Sequence, residues 1–163
     1  MPNATARPSS GCPTCRPPAL ALGLAPLAEA ARSHGIAVLA VGNSYACGSL
    51  GYFVEDLAAQ GLVALMAANA SPSIAPWGGK RPFFGTNPIA FGVPRAGRAP
   101  LVIDQSSSTV ARVAVFDAHR RGVPLPDGWA LDAEGRPTHD PQAAMQGSMM
   151  PLGGYKGAGL ALM

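Results

Sequence analysis

A mixed α/β domain is what this sequence predicts, and three features predict it. Apolar residues recur at helical spacing twice, first at Leu24, Leu27, Ala28 and Ala31, then at Leu50, Phe53, Val54, Leu57 and Ala58. Each stripe is followed by a continuous apolar run of strand length, residues 36–41 and 62–68. A third run, 101–104, ends on the carboxylate of Asp104, at the strand end where open sheets commonly place ligand-facing residues.

In chain order, residues 1–19 (MPNATARPSSGCPTCRPPA) carry proline, serine and threonine without periodicity and read as a disordered tail. One domain, residues 20–163, follows. Cys12 and Cys15 have CxxC spacing, but a zinc ribbon needs a second pair and the chain adds only Cys47, so no metal site is expected. The first helix stops at Gly35, a suitable left-handed C′ residue, with His34 favoured by the helix dipole. Residues 36–41 read as a buried strand, 50–58 as a helix ending near Gly61, and 62–68 as a second buried strand. Val110, Val113, Ala114 and Ala118 suggest a helix closed by Gly122. Residues 129–137 read as a hairpin around Glu134-Gly135, and 141–145 as a short helix. Asp132 and Asp140 are then turn and cap residues, and His119 and His139 face solvent.

Composition narrows the function classes. Apolar residues make up 48% of the chain, enough for a core. The net charge of +3 comes from singly scattered arginines, which disfavours nucleic-acid binding. No apolar run approaches membrane-spanning length, and the N-terminus lacks a charged start followed by an apolar segment. A cytoplasmic location is therefore expected.

The densest chemistry lies in residues 76–91 (PWGGKRPFFGTNPIAF). Gly78, Gly79 and Gly85 permit positive φ or close backbone approach. Lys80 and Arg81 bring charge, while Thr86 and Asn87 bring oriented donors and acceptors. Pro88 holds Asn87 in an extended or turn geometry. Further on, Asp104 could accept from sugar hydroxyls, with Ser106, Ser107 and Ser108 donating nearby; it could equally cap the helix that follows. Lys156 sits among glycines (GGYKG, 153–157) before an apolar stretch, where a helix N-terminus and a full positive charge attract anions. An exposed lysine at a glycine-rich helix entry is the alternative. No GxGxxG follows a strand, so the Rossmann phosphate loop is missing.

Residues 76–91, "APLVIDQSSS" (99–108), "GVPLPDGWALDAEGRPTHDP" (122–141) and "MPLGGYKGAGLALM" (150–163) together resemble the malate/L-lactate dehydrogenase family. That family also holds sulfolactate dehydrogenase, ureidoglycolate dehydrogenase and the piperideine/pyrroline-2-carboxylate reductases. The resemblance implies a non-Rossmann NAD(P)-binding sheet-and-helix domain of the sulfolactate dehydrogenase-like type. It implies hydride transfer to or from a small 2-oxo or 2-hydroxy acid or a cyclic imino acid, with NAD or NADP as cofactor and a homodimer for intact relatives. Cofactor contacts carry over to Asp104, Gln105, Ser106, Lys156 and Gly157, and substrate contacts to Thr86 and Asn87.

Several positions depart from the family pattern. The proton-donating histidine falls in a segment that here reads Asn43-Ser44-Tyr45-Ala46-Cys47-Gly48, so Ala46 stands in its place. A methyl group cannot supply the proton that hydride transfer requires; Tyr45 could, although an unperturbed phenol titrates far above neutral pH. A serine common after the second strand is Ala70 here, and a glycine–lysine pair is replaced by Val113-Ala114. Ser33-His34-Gly35 spells an active-site motif of relatives but falls at a helix end. Relatives extend beyond both ends of this sequence, so a truncated chain that at most binds nucleotide or a family partner is the competing expectation.

Overall fold

The protein is described by a computed structural model over residues 17–44 and 47–153. The chain divides into two compact units, Met1–Gly48 and Ser49–Met163.

The first unit contains helix α1, Pro18–His34. Proline at its first position loses no helical hydrogen bond, and Gly35 closes it in the left-handed region at φ 82°, its N–H bonding Ala31 O at 2.9 Å. Leu20, Leu24 and Ala28 are buried four residues apart. The helix starts well before the apolar stripe that announced it and carries Pro26 inside. Residues 36–41 correct the expectation of a buried strand. They form no ladder among the described residues, and Ile36 and Val38 are 80% and 87% exposed. An apolar run becomes a strand only where a neighbour accepts its backbone hydrogen bonds. Leu39 instead lies over Gly23, where an added Cβ would stand 2.6 Å from it.

The second unit holds strands β1 (Ala64–Ala67), β2 (Pro72–Ile74), β3 (Phe84–Gly85), β4 (Ile89–Arg95), β5 (Arg98–Gln105), β6 (Ala130–Leu131) and β7 (Ser148–Met149). Its helices are α2 (Gly51–Ala59), α3 (Arg112–Arg121) and α4 (Pro141–Gln146). One sheet has the order β1-β4-β5, antiparallel throughout, and the other the order β3-β2-β7-β6.

Helix α2 buries Phe53, Val54, Leu57 and Ala58 with the preceding Leu50, as its spacing predicted, and packs on β4 and β5. Contact is closest at Gly92, where a Cβ would meet Val54 O at 2.5 Å, so the sheet needs a glycine there. The run 62–68 does form a strand, but the expectation that it is buried fails. Only Ala64 is enclosed, while Val63 and Leu65 are 64% and 67% exposed. Among the described residues β1 pairs only with β4 and so forms a sheet edge.

Helices α3 and α4 share a core of Ile74, Val115, Ala118, Leu125, Ala130, Ala144 and Met149. Gly122 ends α3 at φ 63°, as anticipated. The buried stripe is displaced, however: Val110 precedes the helix and Val113 is 63% exposed, while Val115 is enclosed. The extended backbone of Ala111 starts the helix at Arg112, two residues after the Val110 that opened the stripe.

Asp132 holds the turn of the 129–137 hairpin. Its Oδ1 accepts from the N–H groups of Glu134 and Arg136, both at 2.9 Å, and its Oδ2 from Arg136 Nε at 3.0 Å. The Arg136 backbone bond foremost, opposed by partial burial and aided by the Arg136 guanidinium and the Glu134 N–H, lowers its pKa. Asp140 caps α4, accepting from Gln142 N at 2.9 Å. His34, His119 and His139 are exposed; His139 Nδ1 also donates to Leu125 O at 2.9 Å.

Candidate functional site

Three strand ends meet at one edge of the first sheet. Ile89 pairs with Gln105 across β4 and β5, and with Ala67 across β4 and β1. The chain leaving each strand therefore stays beside the others. Ala68 N donates to Pro88 O at 3.1 Å, and Ser107 N to Thr86 O at 2.6 Å. These ends, with Pro151 and Leu152 after β7, line a cavity of about 790 Å³.

Asn87 has φ 28°, a left-handed conformation that asparagine tolerates better than most residues. Its Oδ1 accepts from Ala70 N at 3.0 Å, and its carbonyl accepts from Ser107 Oγ at 3.1 Å. Gly85 makes room for that latch, because an added Cβ would run into Ala70 O and Asn87 Oδ1. Gly85 thus serves close approach, whereas Gly78 serves the positive φ of its turn, 77°. With one Oδ1 lone pair taken by Ala70 N, the Asn87 side chain keeps its Nδ2 donor for a ligand.

Neighbouring side chains on a strand point to opposite faces. At the end of β5 this separates two predicted contacts. Gln105 lines the cavity, and so does Ser106 just beyond the strand. Asp104 lies outside that lining and serves α2 instead. Its Oδ2 accepts from Gly51 N and from Ser49 Oγ, each at 2.7 Å. A carboxylate at a helix N-terminus satisfies a free N–H and complements the dipole. The capping alternative was therefore right in kind, but the helix capped lies upstream, not downstream. Gly51 admits this contact, since a Cβ there would stand 3.0 Å from Asp104 Cβ.

The other predicted residues are dispersed. Thr86 touches the site through its carbonyl, without lining the cavity. Lys80 and Arg81 are exposed beside Phe83 on another surface, and no described residue lining the cavity is charged. Tyr45, Ala46, Lys156 and Gly157 lie outside the described residues, as do Cys12 and Cys15. No group of three potential metal ligands occurs among the described residues. Sequence reasoning missed Asn69, Pro151 and Leu152 in the lining. Asn69 had a usable signal, a polar residue immediately after an apolar strand, as at Asp104.

Fold and site together define a mixed α/β protein with a cavity at converging strand ends whose described lining is mostly apolar, with a few amides and hydroxyls and no charge. The sequence model of the malate/L-lactate dehydrogenase family matches residues 14–163, and the chain belongs to that family. It is 56% identical over 146 residues to a (2R)-3-sulfolactate dehydrogenase (NADP(+)) of Chromohalobacter salexigens, covering 90% of this chain and 44% of that protein. It is 49% identical to Delta(1)-pyrroline-2-carboxylate reductase 2 of Burkholderia multivorans, covering 86% and 42%. Among solved structures, delta1-piperideine-2-carboxylate reductase from Pseudomonas syringae matches with a TM-score of 0.81 at 45% identity, covering 90% of this chain and 44% of that one. Sulfolactate dehydrogenase from Methanocaldococcus jannaschii matches with a TM-score of 0.72 at 34% identity, covering 85% and 40%. The fold is thus of the sulfolactate dehydrogenase-like type, and the chain spans under half the length of these relatives. No helix among the described residues is long and apolar enough to cross a membrane.

Proposed function

We propose that the protein is an NAD(P)-dependent oxidoreductase that transfers hydride to or from a small 2-oxo or 2-hydroxy acid or a cyclic imino acid. The observation that carries this reading is the cavity at the strand ends, combined with membership of a dehydrogenase family. Its volume, about 790 Å³, lies within the range of small-molecule sites. Its mostly apolar, uncharged lining with a few amides and hydroxyls suits the ring and sugar portion of a dinucleotide, and for the phosphates Lys156 would supply the cation and the backbone at Gly157 an N–H donor. A bound nicotinamide would provide or accept the hydride. NADP is favoured by the NADP(+) specificity of the Chromohalobacter relative.

In this reading Gln105 and Ser106 contact the cofactor, and Asp104 positions the cavity edge by tying β5 to α2. Asn87 Nδ2 donates to a carboxylate oxygen of the substrate, with Thr86 holding the backbone beside it. Domain limits follow the sequence reading, a tail and a partial catalytic domain, with the boundary moved from residue 20 to Pro18, where α1 begins. Homodimerisation and a cytoplasmic location belong to the same proposal.

One observation favours a second reading, a chain that binds nucleotide but turns over poorly. Ala46 occupies the position of the family's proton donor. Loss of a general acid costs about 10²–10⁴-fold.

Fluorescence titration with NADPH tests binding, and Lys156→Ala should weaken it markedly. Turnover with piperideine-2-carboxylate, pyruvate and sulfopyruvate tests the chemistry. Ala46→His should raise the rate of a chain that binds cofactor. Turnover of the unaltered chain at a rate that Ala46→His does not improve would assign the proton to Tyr45 or another group.

A further inference from the structure

The serines after β5 form a directed relay. Ser108, 3% exposed, places its Oγ 2.8 Å from Val110 O, a carbonyl that can only accept. The single proton of Ser108 is therefore committed there. Ser106 Oγ lies 3.0 Å from Ser108 Oγ and 3.4 Å from Ser108 O. With the Ser108 proton spent, Ser106 must be the donor in this pair, and both of its inward partners are acceptors. Its own proton points away from the ligand space, and lone pairs are what it has left to offer.

We propose that Ser108 fixes Ser106 as an acceptor-only group in the cavity, so that Ser106 selects a neutral hydrogen-bond donor of the ligand and rejects anionic oxygens. Resting on the reading of a nicotinamide cofactor above, this donor is either the carboxamide NH2 or a hydroxyl of the adjacent sugar. Asn87 has the opposite polarity, since Ala70 N engages its Oδ1 and leaves Nδ2 as a donor. The cavity is thereby polarised. A carboxylate is steered towards Asn87, and a neutral donor towards Ser106. Ser108 does not line the cavity and acts as a positioning residue.

Fluorescence titrations of the 163-residue chain test this with three probes: NADPH, its 3-acetylpyridine analogue, and an analogue deoxygenated on the nicotinamide-side sugar. The acetylpyridine compound lacks the carboxamide donor, and the other lacks the sugar donor. One of the two should bind about 3- to 10-fold more weakly than NADPH, as expected for one lost hydrogen bond. In Ser106→Ala that difference should vanish. In Ser108→Ala, Ser106 loses its shorter acceptor and keeps only the 3.4 Å contact to the carbonyl of residue 108, so its proton can turn to the ligand and the ratio between probes should shrink while NADPH still binds. A purely structural role for Ser108 would weaken all three probes alike and leave the ratio unchanged, which would overturn the relay. Equal affinities in the unaltered chain, or a difference that persists in Ser106→Ala, would also overturn it while leaving the cofactor reading intact. Failure of every probe to bind would overturn both.

Discussion

Two faces of one strand end do different work in this protein. On one face Asp104 ties β5 to the start of α2, through Gly51 N and Ser49 Oγ. On the other, Gln105 and then Ser106 face the cavity. One residue step separates a side chain that holds the fold from side chains available to a ligand. Alternation separates Asp104 from Gln105, and Ser106 reaches the cavity because it lies past the last residue of β5, so motif adjacency alone does not place two residues in one site.

Leu50→Ala attacks the first face most strongly. Leu50 is 1% exposed, and truncation of such a leucine costs about 2–5 kcal/mol. Chemical denaturation should show that loss, while NADPH affinity of the remaining folded protein stays the same. Asp104→Ala should cost less, about 0.5–2 kcal/mol for a lost helix cap. A Tm that does not fall in this variant would show that Asp104 contributes nothing to α2 and reopen it as a ligand contact.

Gln105→Ala should do the converse, with stability within about 0.5 kcal/mol of the parent and cofactor affinity reduced about 3- to 10-fold. Isothermal titration alongside thermal melts separates the two readouts. Asn87→Ala blurs the division, because its amide is both the latch for Ala70 and a donor for a ligand, so both measurements should move. The smallest effect belongs to the distant Asp132 turn. Its carboxyl is held below the ordinary value of 3.8, foremost by the Arg136 backbone bond, so the stabilisation is present above that value. It is lost as pH falls through the lowered one. Amide exchange at Glu134 and Arg136 should quicken in that acid window, and Asp132→Asn should remove the pH dependence.

Much of the fold was legible in the residues. Gly35 and Gly122 ended helices because a left-handed cap suits glycine, and Asp140 capped α4 because a short carboxylate reaches the second helical N–H. The runs 36–41 and 62–68 looked alike and fared differently. The second found β4 as a ladder partner, and the first has none among the described residues. Of the candidate site, Asn87, Gln105 and Ser106 were readable and Asn69 left a usable signal, whereas Pro151 and Leu152 were brought in by chain reversals that no local pattern encodes.

The sequence by itself determined the family, the mixed α/β class, the helix ends and the turn chemistry of Asp132 and Asp140. These depend on local spacing, backbone preference and motif order. Tertiary structure alone decided which apolar runs became strands, which face of β5 met the cavity, and which acceptors surround the Ser106 hydroxyl. Each of those depends on a partner distant in sequence, or on a hydroxyl whose single proton is assigned only when every acceptor around it is in place.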